Sequence, residues 1–152
     1  MKNVTTLGAV VLLSFAAEAS AQGCAAIGYG SAVTNQGQIN TRLGGKRILA
    51  VGPGGDWKED HCSNGNLFKV GVSPTDPVDP RAYRGTWQIA GTGNARLVQY
   101  NYTVGGPGLT YTWALWENAS GDLCWENPTG GALIATAPAP ANIPGGLSCA
   151  AP

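Results

Sequence analysis

The chain has 152 residues, with nine basic and nine acidic side chains, no formal net charge and only 12% charged residues. So sparse and balanced a charge excludes a nucleic-acid binder or a protein held on an anionic membrane surface, since both need a basic face. The length fits a single domain.

The first 21 residues read as a signal peptide. Lys2 precedes an apolar run over 7–17, and Ala19-Ser20-Ala21 offers small residues for cleavage before Gln22. The apolar run is too short to span a bilayer well, and no second span follows, so no integral membrane association is expected. The protein is expected to be secreted or periplasmic. A lipoprotein acylated at Cys24 would want a Leu-like residue where Ala21 stands. Four cysteines follow the leader: Cys24, Cys62, Cys124 and Cys149. An even count in an exported chain predicts two disulfides, with three pairings open. Cys24–Cys62 and Cys124–Cys149 is the favoured pairing, because each bond ties a weakly structured end to the nearer half. No C-x-x-C spacing is present, so neither zinc nor another metal or cofactor is expected.

Residues 22–45 form an N-terminal segment that is Gly-, Ala- and Ser-rich at first. Gln36–Leu43 could make a short helix, stopped by Gly44-Gly45. Residues 46–51 (KRILAV) look like a first strand, and Gly52-Pro53-Gly54-Gly55 turns the chain. That turn is no phosphate cradle, because no Lys-Ser/Thr follows it. Residues 56–62 are the most polar stretch. A strand over 66–72 places Leu67, Lys69 and Gly71 on one face and Phe68, Val70 and Val72 on the other. Three prolines make 73–80 a crossing loop.

An aromatic sheet over 85–125 follows and organises the chain. In 95–104, Val98, Tyr100, Tyr102 and Val104 share a face. In Leu109–Glu117, Leu109, Tyr111, Trp113 and Leu115 share one. Period-two alternation marks half-buried strands. The glycines and proline of 105–108 predict a hairpin between them. Asn118-Ala119-Ser120-Gly121-Asp122 turns the chain into Leu123–Glu126. Residues 132–136 supply a last strand, and an Ala/Pro-rich tail over 137–152 would fray but for Cys149. The expected fold is mainly β: a single small antiparallel β-barrel or sandwich over 46–136, with a short N-terminal helix.

Two resemblances accompany this. Trp57, Glu59, His61, Gly65, Leu67 and Lys69, followed by Asp76-Pro77-Val78-Asp79-Pro80 and Gly85-Thr86-Trp87, resemble a group of small secreted proteobacterial proteins. That group carries no assigned activity, so the likeness implies export and no site residue. Gly85-Thr86-Trp87 alone is similar to the motif that opens lipocalin- or avidin-like barrels, which implies a barrel shape.

Candidate chemistry centres on His61, the only histidine, with Glu59, Asp60 and Asp56 close in sequence. A carboxylate beside a histidine raises its pKa and orients its ring, as a general base requires. No G-x-S-x-G nucleophile accompanies it. Glu117 and Glu126 each follow a tryptophan and could pair as sugar-cleaving carboxylates. Trp87, Trp113, Tyr100, Tyr102 and Tyr111 read as core. Trp116 is out of phase with the apolar face, so it either meets a ligand or covers the second face beneath the N-terminal segment. The expected function is therefore a secreted, non-catalytic binding or interaction module. Its aromatic-lined surface would comprise Trp116, Trp125 and Tyr102, and its partner would be a small molecule, glycan or protein. The alternative is an extracellular hydrolase acting on cell-wall or other polymers through His61 with Glu59 or Asp60.

Overall fold

A computed structural model describes residues 22–53, 55–71, 81–104, 108–129 and 131–152. The leader over 1–21, the crossing loop over 73–80 and most of the Gly/Pro turn over 105–108 lie outside these residues.

The described chain is mainly β. After a 3-10 turn over Cys24–Ile27 come β1 (Ser31–Ala32), α1 (Gln36–Leu43), β2 (Lys46–Ala50), β3 (Trp57–His61), β4 (Asn66–Val70) and β5 (Ala82–Ala90). They are followed by β6 (Leu97–Tyr102), β7 (Leu109–Glu117), β8 (Leu123–Glu126), β9 (Leu133–Ala137) and β10 (Ala141–Asn142). From β2 to β9 each strand pairs antiparallel with the next in sequence. This meander curls into a half-barrel. Its two ends touch at one bridge, where Val51 and Thr136 exchange backbone hydrogen bonds of 2.7 and 2.8 Å.

The helix forms where expected but is not the first element. Asn35 caps it, its side chain accepting from the Gly37 and Gln38 N–H groups. Ile39 and Leu43, four residues apart on one helix face, are fully buried. They join Val33, Trp87, Val98, Leu115 and Leu123 in the core and so plug one end of the curl.

Register decides what faces inward. In antiparallel pairs, directly opposed residues share a face. Ile48 opposes Glu59, which opposes Lys69; Lys46 opposes His61, which opposes Leu67. Trp87 opposes Tyr100, which opposes Tyr111; Val98 opposes Trp113; Leu115 opposes Trp125. These chains of partners make a continuous inner face. Between β4 and β5 the register shifts, and Gly85 sits there at φ 149°. A Cβ at Gly85 would run into the Asn101 carbonyl of β6, so only glycine lets the two strands close at this point.

Four expectations are corrected. The disulfides are Cys24–Cys124 and Cys62–Cys149, not Cys24–Cys62 and Cys124–Cys149. Each end of the chain crosses to the distant half. The 3-10 turn packs beside β8, where the Glu126 carboxylate accepts the Cys24 N–H at 2.8 Å. The tail lies against the turn after β3, where the Asn64 and Asn66 amides both donate to the Cys149 carbonyl. Second, the short helix is not N-terminal, since β1 precedes it, while the polar stretch holds a strand, β3, whose alternation sends Trp57, Glu59 and His61 inward. Third, the tail does not hang from Cys149 alone, since β10 pairs with the outer edge of β2. Fourth, Trp125 is 2% exposed and belongs to the core, not to a surface.

Candidate functional site

Exposure along the inner face of β7 is graded. Leu115 is 1% exposed, Trp113 is half-buried, Tyr111 is 39% exposed and Leu109 is 48% exposed. A strand face buried at one end and bare at the other marks an interior that opens. Opposite the helical plug lies a cleft of about 440 Å³, lined by Pro53, Trp57, Tyr111, Trp113, Leu133 and Ile134. β3, β7 and β9 deliver these side chains, together with the turn after β2. Gly52 makes the last approach possible, because a Cβ there would strike the Ile134 carbonyl. A polar hollow of about 270 Å³ at the plugged end, between α1 and β5, is lined by residues such as Gln36, Asn40 and Gln88.

Aromatic rings connect the mouth with the interior. Trp113 meets Trp57 at 6.4 Å between centroids, Tyr111 at 5.4 Å and Tyr100 at 5.2 Å. Tyr102 meets Tyr111 edge-on at 5.9 Å and stacks on Tyr100 at 6.4 Å. Spacings and tilts of this kind are favourable for aromatic pairs.

Polar groups are threaded through these rings. The Tyr102 hydroxyl donates to Glu59 Oε1 at 2.9 Å. Glu59 is 4% exposed, and its Oε2 is buried without a hydrogen-bond partner. Burial pushes its pKa up to about 7, against the Tyr102 hydrogen bond and the charge of Lys69. Deeper in, Trp125 Nε1 donates to the Tyr100 hydroxyl at 3.0 Å, and the same hydroxyl lies 3.2 Å from His61 Nε2. An indole N–H can only donate, so the Tyr100 oxygen accepts from Trp125. That leaves its own proton for His61 Nε2. His61 is 1% exposed and packs edge-on against Trp87 and Tyr100. Burial lowers its pKa to about 4, although the Glu59 backbone and Asp60 oppose the shift. His61 is therefore neutral at ordinary pH. Burial likewise raises the pKa of Tyr100 and Tyr102, so both hydroxyls keep their protons.

The structure separates residues that the sequence places side by side. Asp60 points to the outer face, away from His61. It accepts from Arg47 Nε and Arg81 Nε, both at 2.6 Å. Burial alone would raise the Asp60 pKa, but the Arg47 and Arg81 hydrogen bonds outweigh it and hold it below the usual range. Asp56 is exposed. Glu117 and Glu126 do not face a common space. Glu117 pairs with Arg42 of α1 at 2.6 Å, and Glu126 accepts from Trp116 Nε1 at 2.7 Å and from the Cys24 N–H. Trp116 covers the outer face beneath the N-terminal segment, opposite Ala32 of β1. Of the three expected ligand-binding residues, only Tyr102 lies by the mouth.

Trp57, Pro53, Leu133 and Ile134 carry no binding signal in the sequence yet line the cleft, and Trp113 and Tyr111, which read there as core, line it too. The available signal was the alternation Trp57, Glu59, His61, which the charges of Lys58 and Asp60 obscured. Among the described residues, no group of three or more His, Cys, Asp or Glu side chains is gathered as for a metal ion, and no helix is long and apolar enough to cross a membrane. Two disulfides fit an oxidising compartment. No family model, curated protein or solved structure matches the chain.

Proposed function

We propose that the protein is a secreted or periplasmic binding module that holds a small, largely apolar ligand in the open end of its barrel. The observation that carries this is the cleft of about 440 Å³ itself, with Tyr111 and Trp113 presented on a face of β7 that grades from buried to bare and Trp57 of β3 beside them. Its volume falls in the range of small-molecule sites, and apolar walls with few polar groups are their usual lining. The leader-like first 21 residues and the paired cysteines support export. His61, walled in by Trp87 and Tyr100, offers nothing to a molecule at the mouth, which favours binding over hydrolysis.

The test is titration with N-phenyl-1-naphthylamine, a dye that brightens in apolar sites. Saturable enhancement is expected, weakened about tenfold in Trp57→Ala and unchanged in Trp116→Ala. No enhancement in the parent, or equal loss in both variants, defeats the proposal.

A further inference from the structure

We infer that the mouth selects a small organic cation, its apolar body against Trp57, Tyr111 and Trp113 and its ammonium nitrogen on Glu59 Oε2; this rests on the binding role proposed above and specifies it. A carboxyl group has about four acceptor positions. In Glu59 the Tyr102 hydroxyl serves one oxygen, while the other is buried and unserved. A buried acceptor left empty carries its full desolvation penalty, which a ligand donor relieves. Glu59 follows Trp57 by two residues on the same strand face, a step of roughly 6–7 Å. Its hydrogen-bond donor Tyr102 touches Tyr111, which lines the cleft. Glu59 is not itself a lining residue, so the ligand's nitrogen reaches the unserved oxygen past Trp57 and Tyr111.

The walls decide between cation and sugar. Ring faces attract an ammonium group. Pro53, Leu133 and Ile134 offer no side-chain partner to the many hydroxyls of a sugar.

The groups that face Glu59 are Lys69 from β4, Tyr100 and Tyr102 from β6, His61 from its own strand and the uncharged Ile48 from β2. His61 is neutral. Lys69 and Tyr102 both favour the ionised carboxylate, yet burial outweighs them. A ligand cation at the unserved oxygen would add to the charge of Lys69 and favour the ionised form.

The test uses phenethylamine, 2-phenylethanol and glucose to displace the dye at pH 5.5 and pH 8.5. The amine stays protonated at both values, because its pKa is near that of lysine, about 10. Its affinity is expected to rise about tenfold or more from pH 5.5 to 8.5, as Glu59 ionises, while that of the alcohol stays flat. Glu59→Gln should abolish the rise and leave the alcohol unaffected. Should Glu59→Gln fail to fold, Tyr102→Phe decides. It removes a bond that lowers the Glu59 pKa, so the midpoint of the rise should move to higher pH. A flat amine profile in the parent overturns the inference, as does displacement by glucose alone. Displacement by the alcohol with a flat amine profile leaves the binding role standing, whereas a dye that never binds removes that role.

Discussion

At the scale of single residues, Glu59 and His61 are two titrating groups of opposite sign within one interior, and their effects on stability oppose each other. The folded pKa of Glu59 is about 7, above its ordinary 4.5. The folded state therefore holds the extra proton between these values, and stability falls as pH rises through them. The folded pKa of His61 is about 4, below its ordinary 6.5. The unfolded state holds the extra proton there, and stability rises with pH between 4 and 6.5. Each slope is about 1.4 kcal/mol per pH unit, so over the overlap from 4.5 to 6.5 they cancel. Urea unfolding across pH should show a plateau there, with losses on both sides. Glu59→Gln should turn the plateau into a climb toward pH 6.5 and abolish the loss above it. A parent curve that climbs steadily from pH 4.5 to 7 would contradict this assignment.

At the scale of elements, β3 does two jobs because its faces differ. Its inner face furnishes the mouth. Its outer face carries Asp60, which joins Arg47 of β2 to Arg81 at the start of β5. Arg81 in turn lies over the Phe68 ring at 3.8 Å and donates to the Ser148 carbonyl of the tail. The side chain of Asp60 is fully buried, whereas Arg47 and Arg81 keep 19% and 14% exposure. Removing the carboxylate leaves two cations that water reaches only in part. Asp60→Ala should therefore cost about 2–4 kcal/mol in urea unfolding, and Arg47→Ala clearly less, since Arg81 still serves the carboxylate. Equal costs would mean that Arg81 does not hold Asp60 by itself. The same strand shows where sequence reasoning stopped. Tyr100, Trp113 and Leu115 announce their strands because apolar and polar residues alternate cleanly. On β3 both faces carry ionisable residues, Glu59 and His61 inside, Lys58 and Asp60 outside, so polarity no longer reports direction. Only the presence of Arg47 and Arg81 outside and Tyr102 inside makes that pattern stable, and all three are distant in sequence.

At the scale of the whole molecule, the fold class, the helix over Gln36–Leu43 and the turn at Asn118–Asp122 were legible from period and turn chemistry. The disulfide pairing and the mouth were not, because both depend on how far the sheet curls. That curl brings the N-terminal turn to β8 and the tail to the end of β3. The bonds therefore close long loops, with sequence separations of 100 and 87. Loops of this length stabilise by about 4–5 kcal/mol each on the chain-entropy account. The loops overlap, so the joint effect should be smaller than the sum. Replacing either pair with serine should lower stability by about 2–5 kcal/mol, with the double replacement less than additive in urea unfolding. An unchanged midpoint in both single-pair variants would contradict that account. The bridge between Val51 and Thr136 has one further consequence. Elsewhere the wall is stitched by ladders of four to six paired residues, but here a single stitch joins the first long strand to the last, next to the turn that carries Pro53 and the strand that carries Leu133 and Ile134. The circumference can lengthen at this point at the cost of two hydrogen bonds, so widening the aperture would part this seam rather than unfold a strand.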